Sequence, residues 1–272
     1  MAEKKPILAI TMGDPAGVGP EIIAKAVSRE ESGRDARLLI VGDGTIMERA
    51  IEITGVSLRI ERVTHAGDTG DEDGVLYLLD LANVESEQFE HGKLSPMCGR
   101  AAYEAIERAI ELALAGEVAA NVTAPINKEA LKLAGINYAG HTEIYADKTG
   151  TTDYAMMLVH EGLHVVHVST HVSLREACDL VTRERVETVV LLAQEALQRL
   201  GVAKPRIAVA GLNPHAGENG MFGREELEEI IPALEALRER GVDAVGPLSP
   251  DTLFPRAAAG EYDCVVVMYH DQ

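Results

Sequence analysis

"CVVVMYHDQ" (residues 264–272) is a short β-branched run that ends on a histidine and an aspartate. It lacks the polar–apolar alternation of a half-exposed strand, so it reads as a strand covered on both faces. The same pattern recurs upstream. "PILAITM" (6–12), "RLLIVG" (37–42), "VLYLLDL" (75–81), "AANVTA" (119–124), "HVVHVST" (164–170) and "RIAVAGL" (206–212) are further strand candidates. Between them lie helical patterns. Residues 99–116 place Ala102, Ile106, Ala109, Ile110 and Ala113 on one stripe and stop at Gly116. Residues 182–201 open with Thr182 and Glu184 and close with Arg199 and Gly201. Residues 224–241 carry acids first and Arg238, Arg240 and Gly241 last, with Pro232 expected to kink that helix or lie near its start. These polarities suit the helix dipole. Alternating strand and helix units predict an α/β fold with mostly parallel sheets.

The polar clusters follow the strands directly, and in open α/β sheets ligands bind outside the carboxyl ends of strands. "GDPAGVGPE" follows the first strand. Its Gly13, Asp14, Gly17 and Gly19 could bring backbone amides to a phosphate at a helix N-terminus, or simply form a tight turn with Pro20 opening the helix. The spacing is neither G-x-G-x-x-G nor a Walker motif. Of nine histidines, His65, His91 and His160 sit in polar loop contexts, and His164 and His167 read as satisfied strand residues. His171, His215 and His270 each follow a separate strand. They are either three unrelated loop histidines or the ligands of a divalent transition metal with open positions for substrate. His141 and Thr142, in "AGHTEIYAD", suit contacts to a phosphate or carboxylate, or Thr142 caps the helix that follows. Asp251, in "GPLSPDTLF", is a base or a cap.

The chain has 272 residues, 46% of them hydrophobic, and a formal net charge of −19. That charge argues against nucleic acid and anionic membrane partners, and it requires any anion site to be built locally. Cys98, Cys178 and Cys264 are too few and too far apart for a disulfide framework. The N-terminal apolar run meets Gly, Asp and Pro too early for a signal peptide, and no apolar stretch approaches the ~20 residues of a membrane span. The expectation is a soluble, cytoplasmic protein.

"ITMGDPAGVGPEI", "GHTE", "STHVSLRE", "GLNPHAGENGMFGREE", "GPLSPDTLF" and "MYHDQ" occur here in order. Together they resemble the 4-hydroxythreonine-4-phosphate dehydrogenase family of vitamin B6 biosynthesis, from about Ile10 to Gln272. The resemblance implies two α/β/α lobes like those of isocitrate and isopropylmalate dehydrogenases, with a cleft between them. The lobes expected are 1–125 plus 255–272, and 126–254 with dimer contacts. It implies a homodimer and metal-dependent, NAD- or NADP-linked oxidation and decarboxylation of a phosphorylated four-carbon hydroxy acid. By resemblance, His171, His215 and His270 are the ligands of a zinc, magnesium, manganese or cobalt ion, two from one subunit and the third from its partner. His141 and Thr142 match the substrate-binding pair, and Asp251, with His215, is placed at the reacting centre. The family continues past "YHDQ" with a Lys, an Asn and an Arg that contact substrate, so the resemblance also implies a C-terminally shortened member. Within 99–179 the chain also resembles a sister branch that oxidises D-threonate or D-erythronate 4-phosphate to dihydroxyacetone phosphate and CO₂. The two substrates differ by an amino group versus a hydroxyl at one carbon.

Overall fold

The apolar runs become strands because helices cover them on both sides. A computed structural model describes residues 5–29, 31 and 33–272. Residues 1–4, part of the N-terminal stretch read for a signal peptide, lie outside them. The chain divides into two units, Met1–Thr151 and Thr152–Gln272.

The first unit runs β1 (Ile7–Thr11), α1 (Gly19–Val27), β2 (Arg37–Gly42), α2 (Gly44–Thr54), β3 (Arg59–Arg62), β4 (Val75–Asp80), α3 (Pro96–Leu114), β5 (Ala120–Thr123), α4 (Lys128–Leu133) and α5 (His141–Thr149). Its sheet has the order β3-β4-β2-β1-β5, with every pairing parallel. Neighbouring strand residues serve opposite faces. Leu39 and Val41 pack with Ala105, Ala109 and Leu112 of α3. Ile40, between them, packs with Ile23 of α1 and Met47 of α2. Each such side chain contributes about 1.5–3 kcal/mol when fully buried.

The second unit runs β6 (Met157–His160), β7 (Leu163–His167), α6 (Leu174–Leu180), α7 (Arg183–Arg199), β8 (Ile207–Ala210), a π-helical turn (Glu226–Ile230), α8 (Ile231–Glu239), β9 (Ala244–Leu248), α9 (Pro250–Ala258) and β10 (Cys264–Val267). The sheet order is β6-β7-β10-β8-β9, parallel except for the β6–β7 pair. Helix α7 buries Val186, Val189, Val190, Ala193 and Leu197, the i, i+3, i+4, i+7 spacing of a core-facing stripe. Those residues meet Val166, Val209 and Val266. The opposite face of the sheet packs on Leu253 and Ala257 of α9.

The expected division into lobes is corrected in two places. β10 is the central strand of the second sheet, between β7 and β8, so residues 255–272 belong with it and not with the first lobe. Residues 126–151, including α4 and α5, belong to the first unit. Sequential order misled here: after β7 the chain lays down β8 and β9 further out in the same sheet, and only its last strand fills the place between β7 and β8. Pro232 lies in the first turn of α8, directly after the π turn. Proline lacks an N–H and crowds the carbonyl four residues back, and the wider π turn absorbs both effects.

Candidate functional site

In the second unit β7, β10, β8 and β9 are mutually parallel, so their carboxyl ends share one edge. That edge carries His171, His270, His215 and Asp251. The strand ends are tied together by side chains. Ser169 donates its hydroxyl to the Met268 carbonyl at 2.8 Å. Gln272 accepts from the Met268 amide at 2.7 Å and donates to the Gly211 carbonyl at 2.6 Å. The end of β10 is thereby fixed to the ends of both its neighbours.

His270 is exposed at this edge, and its Nδ1 lies 3.0 Å from Asp271 Oδ1. A carboxylate accepting from Nδ1–H fixes the tautomer and leaves the Nε2 lone pair free to bind a metal. The His171 ring stands 5.9 Å from that of His270, centroid to centroid. His167 lies 5.6 Å from His270, centroid to centroid, fully buried, with Nδ1 3.2 Å from the Met156 carbonyl. Burial keeps the His167 imidazole neutral by lowering its pKa.

His215 is presented differently. Residues 215–219 form a continuous left-handed turn, with φ of 54°, 51°, 79°, 44° and 55°. Four of the five carry side chains, and each such residue in this region costs roughly 1–2 kcal/mol. The exposed His215 ring sits 6.3 Å from Phe222. It lines a pocket of about 290 Å³ together with Ser249, Asp251, Tyr269 and Gln272. Asp251 is in the first turn of α9. A hydrogen bond from Ser249 is the largest of several effects that lower its pKa, and the charge of His215 adds to it.

Two of the three expected ligands therefore meet in one chain, and the third does not join them. Among the described residues no three His, Cys, Asp or Glu side chains form a group that could hold a metal ion. The donor chemistry still fits a divalent metal in part: two exposed imidazoles side by side, one held by a carboxylate. A closed set needs a further donor.

In the first unit His141 opens α5, with Gly140 as N-cap. Thr142 is inside the first helical turn and exposed, so it is not the cap. No side chain caps this helix, which leaves its first amides available to an anion. Burial lowers the pKa of His141, and its Nε2 is buried without a partner. In the loop after β1, by contrast, the amides are largely spent internally. Asp14 N–H donates to Pro125 O, Gly17 N–H to Asp14 O, and Ala16 N–H to the Asp14 carboxylate. Gly13 and Gly19 are needed for close approach: a Cβ on either would lie 2.4 Å from a carbonyl oxygen. Asp14 is buried, and that burial raises its pKa.

Sequence reading passed over Ser169, Glu226 and the orienting role of Asp271; His167, read as a satisfied strand residue, is buried with its Nδ1 3.2 Å from the Met156 carbonyl. The dipeptide His270-Asp271 was a signal in plain view; the others show only once the strands are paired. Among the described residues no helix is long and apolar enough to cross a membrane.

A two-unit α/β protein with imidazoles and a carboxylate at the strand ends of one sheet defines a class of small-molecule site. The family model for pyridoxal phosphate biosynthetic protein PdxA matches residues 34–272. The chain belongs to this family. It is 48% identical over 267 residues to D-threonate 4-phosphate dehydrogenase of Salmonella typhimurium (strain LT2), covering 97% of this chain and 81% of that protein. A crystal structure of 4-hydroxythreonine-4-phosphate dehydrogenase from Klebsiella pneumoniae superposes with a TM-score of 0.92 at 42% identity, covering 100% of this chain and 82% of that one. The corresponding enzyme of Burkholderia phymatum gives 0.89 at 44%, covering 99% and 82%.

Proposed function

We propose that the chain is a metal-dependent, NAD- or NADP-linked dehydrogenase that oxidises and decarboxylates a phosphorylated four-carbon hydroxy acid, with D-threonate 4-phosphate as the first candidate substrate. The observation that carries this reading is the His171–His270 pair, oriented by Asp271 at the strand ends. The curated relatives at 42–48% identity bear the D-threonate 4-phosphate name, which favours that substrate over the sequence-stretch match to the vitamin B6 enzyme. A second reading, 4-hydroxythreonine 4-phosphate, is favoured by the names of solved structures at 42–44% identity.

A divalent metal and a nicotinamide would supply polarisation of the substrate oxygen and an acceptor for hydride. His171 and His270 are the residues placed to hold the ion, with Asp271 keeping His270 in the donor tautomer. The third donor, His215, is assigned to a second copy of the chain, which makes the homodimer part of the site. Asp251, its pKa lowered chiefly by the hydrogen bond from Ser249, is the group to take the proton of a hydroxyl seated in the adjoining pocket. His141 and Thr142 are assigned to the substrate's anionic end, since the uncapped start of α5 favours negative charge. The three free cysteines suit the reducing cytoplasm.

The test is absorbance of reduced nicotinamide. The full chain is supplied with Zn²⁺, Mg²⁺, Mn²⁺ or Co²⁺, with NAD⁺ or NADP⁺, and with each substrate in turn. Signal with D-threonate 4-phosphate exceeding that with 4-hydroxythreonine 4-phosphate supports the reading. The reverse order installs the second reading, and no signal with either sinks both.

A further inference from the structure

Glu226 is the only buried carboxylate of the second unit among the described residues, at 2% exposure. No cation pairs with it there; its hydrogen-bond partners are both on Asn213. Oε1 accepts the Asn213 backbone N–H at 2.7 Å, and Oε2 accepts from Asn213 Nδ2 at 2.9 Å. A carboxylate withdrawn from water with only two donors is unfavourable unless it does something its neighbours cannot.

Its surroundings show what that is. A Cβ on Gly217 would lie 2.6 Å from Glu226 Oε2, and one on Gly211 would lie 3.1 Å from Oε1. The carboxylate is wedged between the end of β8 and the inside of the left-handed turn. Residues on both sides of His215 are thus held by one side chain: Asn213 by hydrogen bonds, Gly217 by contact. The π turn begins at Glu226 itself. Single π turns of this kind are rare and frequently lie at functional sites.

We infer that Glu226 is a positioning residue for His215: it holds the 213–217 segment in its left-handed course and so fixes where the imidazole is presented. This rests on the reading above for what His215 does once presented, but not for how it is held. Glu226→Gln keeps an acceptor for the Asn213 amide and sets an NH₂ group against Asn213 Nδ2. Glu226→Ala removes both bonds.

Two readouts on the full chain test the inference. The first is the ¹³Cε1–¹H correlation of the His215 ring, assigned by its loss in His215→Ala. The second is affinity for Co²⁺ alone, followed by its visible absorption. Both Glu226 variants should move or broaden the His215 signal. They should also weaken Co²⁺ binding 10–100-fold, the usual effect of removing an outer-sphere partner. Leu234→Ala, a truncation on the buried face of α8 in the core of the second unit, serves as the comparator for general destabilisation. It should leave both readouts unchanged at a similar loss of thermal midpoint.

An unmoved His215 signal in folded Glu226→Ala overturns the inference, as does an equal response from Leu234→Ala. If neither Glu226 variant folds, the residue is structural and the positioning role is refuted. Failure of the metal reading looks different. His215→Ala would then bind Co²⁺ as the parent does, while the ring signal still reports on Glu226.

Discussion

Gly99 offers a test in which two effects of opposite sign compete. It occupies the first turn of α3, where a glycine is about 1 kcal/mol worse than alanine on helix propensity alone. Propensity therefore predicts that Gly99→Ala stabilises the protein. The packing predicts the reverse. A Cβ at this position would lie 2.2 Å from Ala130 O, 2.3 Å from Ala130 C and 2.7 Å from Leu131 N. All three are backbone atoms of α4, so no side-chain rotation relieves the clash, and α4 must move away by about 1 Å. Overpacking typically costs ~1–3 kcal/mol, and a rigid obstacle puts this site near the top of that range. Subtracting the propensity gain leaves a destabilisation of about 2 kcal/mol, or roughly a 30-fold rise in local opening. The displaced α4 carries Leu131, which packs with Ile144 of α5, so the strain should reach the turn that holds His141. Hydrogen exchange read by mass spectrometry over Lys128–Leu133 and His141–Thr149 measures this directly. Slower exchange in Gly99→Ala, or a higher urea midpoint, would refute the close-packing argument and leave propensity as the winner.

Asp271→Asn should weaken Co²⁺ or Zn²⁺ binding about 10–100-fold without altering the circular dichroism, because it removes the carboxylate that fixes the His270 tautomer; competition with a chromophoric chelator measures it. Thiol labelling of the native protein should modify Cys178 and spare the other two. Cys178 is exposed, while burial pushes the Cys264 thiol up to about 12 and raises that of Cys98; rapid reaction of more than one thiol per chain would contradict that burial. The thermal midpoint should fall as pH drops below about 6.5. His141 and His167 have folded pKa values below 6.5, so in that window the unfolded chain binds protons that the folded chain does not. His141→Gln should flatten part of the slope, and an unchanged pH profile in that variant would argue against a buried neutral imidazole. Asp14 acts in the opposite sense, since its raised pKa penalises the fold as pH rises, but its window opens at 3.8.

The strands that sequence reading found and those it missed differ in one respect. β1, β2, β4, β7, β8 and β10 are interior strands, covered by helices, and each shows as an apolar run; β5, found as "AANVTA", is the exception, an edge strand that was still legible. β3 (RIER), β6 (MLVH) and β9 (AVGPL) were not legible, and all three are edge strands. An edge can carry charge, accept proline where no ladder bond is needed, and be short. That same freedom erases the signal on which a strand is recognised. Site residues divide similarly. His171, His215 and His270 were legible because each follows an apolar run. Where their rings stand depends on which strands are neighbours, and that followed from the unforeseen central position of β10. Only the pairing puts His171 beside His270 and leaves His215 with Asp251. The buried carboxylates were illegible for another reason: among 44 acidic residues, nothing local distinguishes the few that turn inward.

Those few share a task. Each strand that ends at a functional edge leaves backbone amides with no ladder partner, and an inward carboxylate supplies the acceptor. Asp14, after β1, accepts from Ala16 N–H. Asp43, after β2, accepts from Ile46 N–H and from Val84 N–H, capping α2 and fixing a distant loop together. Asp80, half-buried at the end of β4, likewise accepts from Gly44 N–H and Ala82 N–H while Arg62 holds its other oxygen at 2.8 Å. Glu226 does the same for Asn213 after β8. An amide bound to a carboxylate is unavailable to a phosphate, so these loops are made rigid at the expense of anion binding. The start of α5 is built otherwise, with no side chain on its first amides and a neutral histidine beside them. In a chain of net charge −19, that contrast is the physical reason for assigning the anionic end of the substrate to His141 and Thr142, and for reading the glycine-rich loop after β1 as a structural turn.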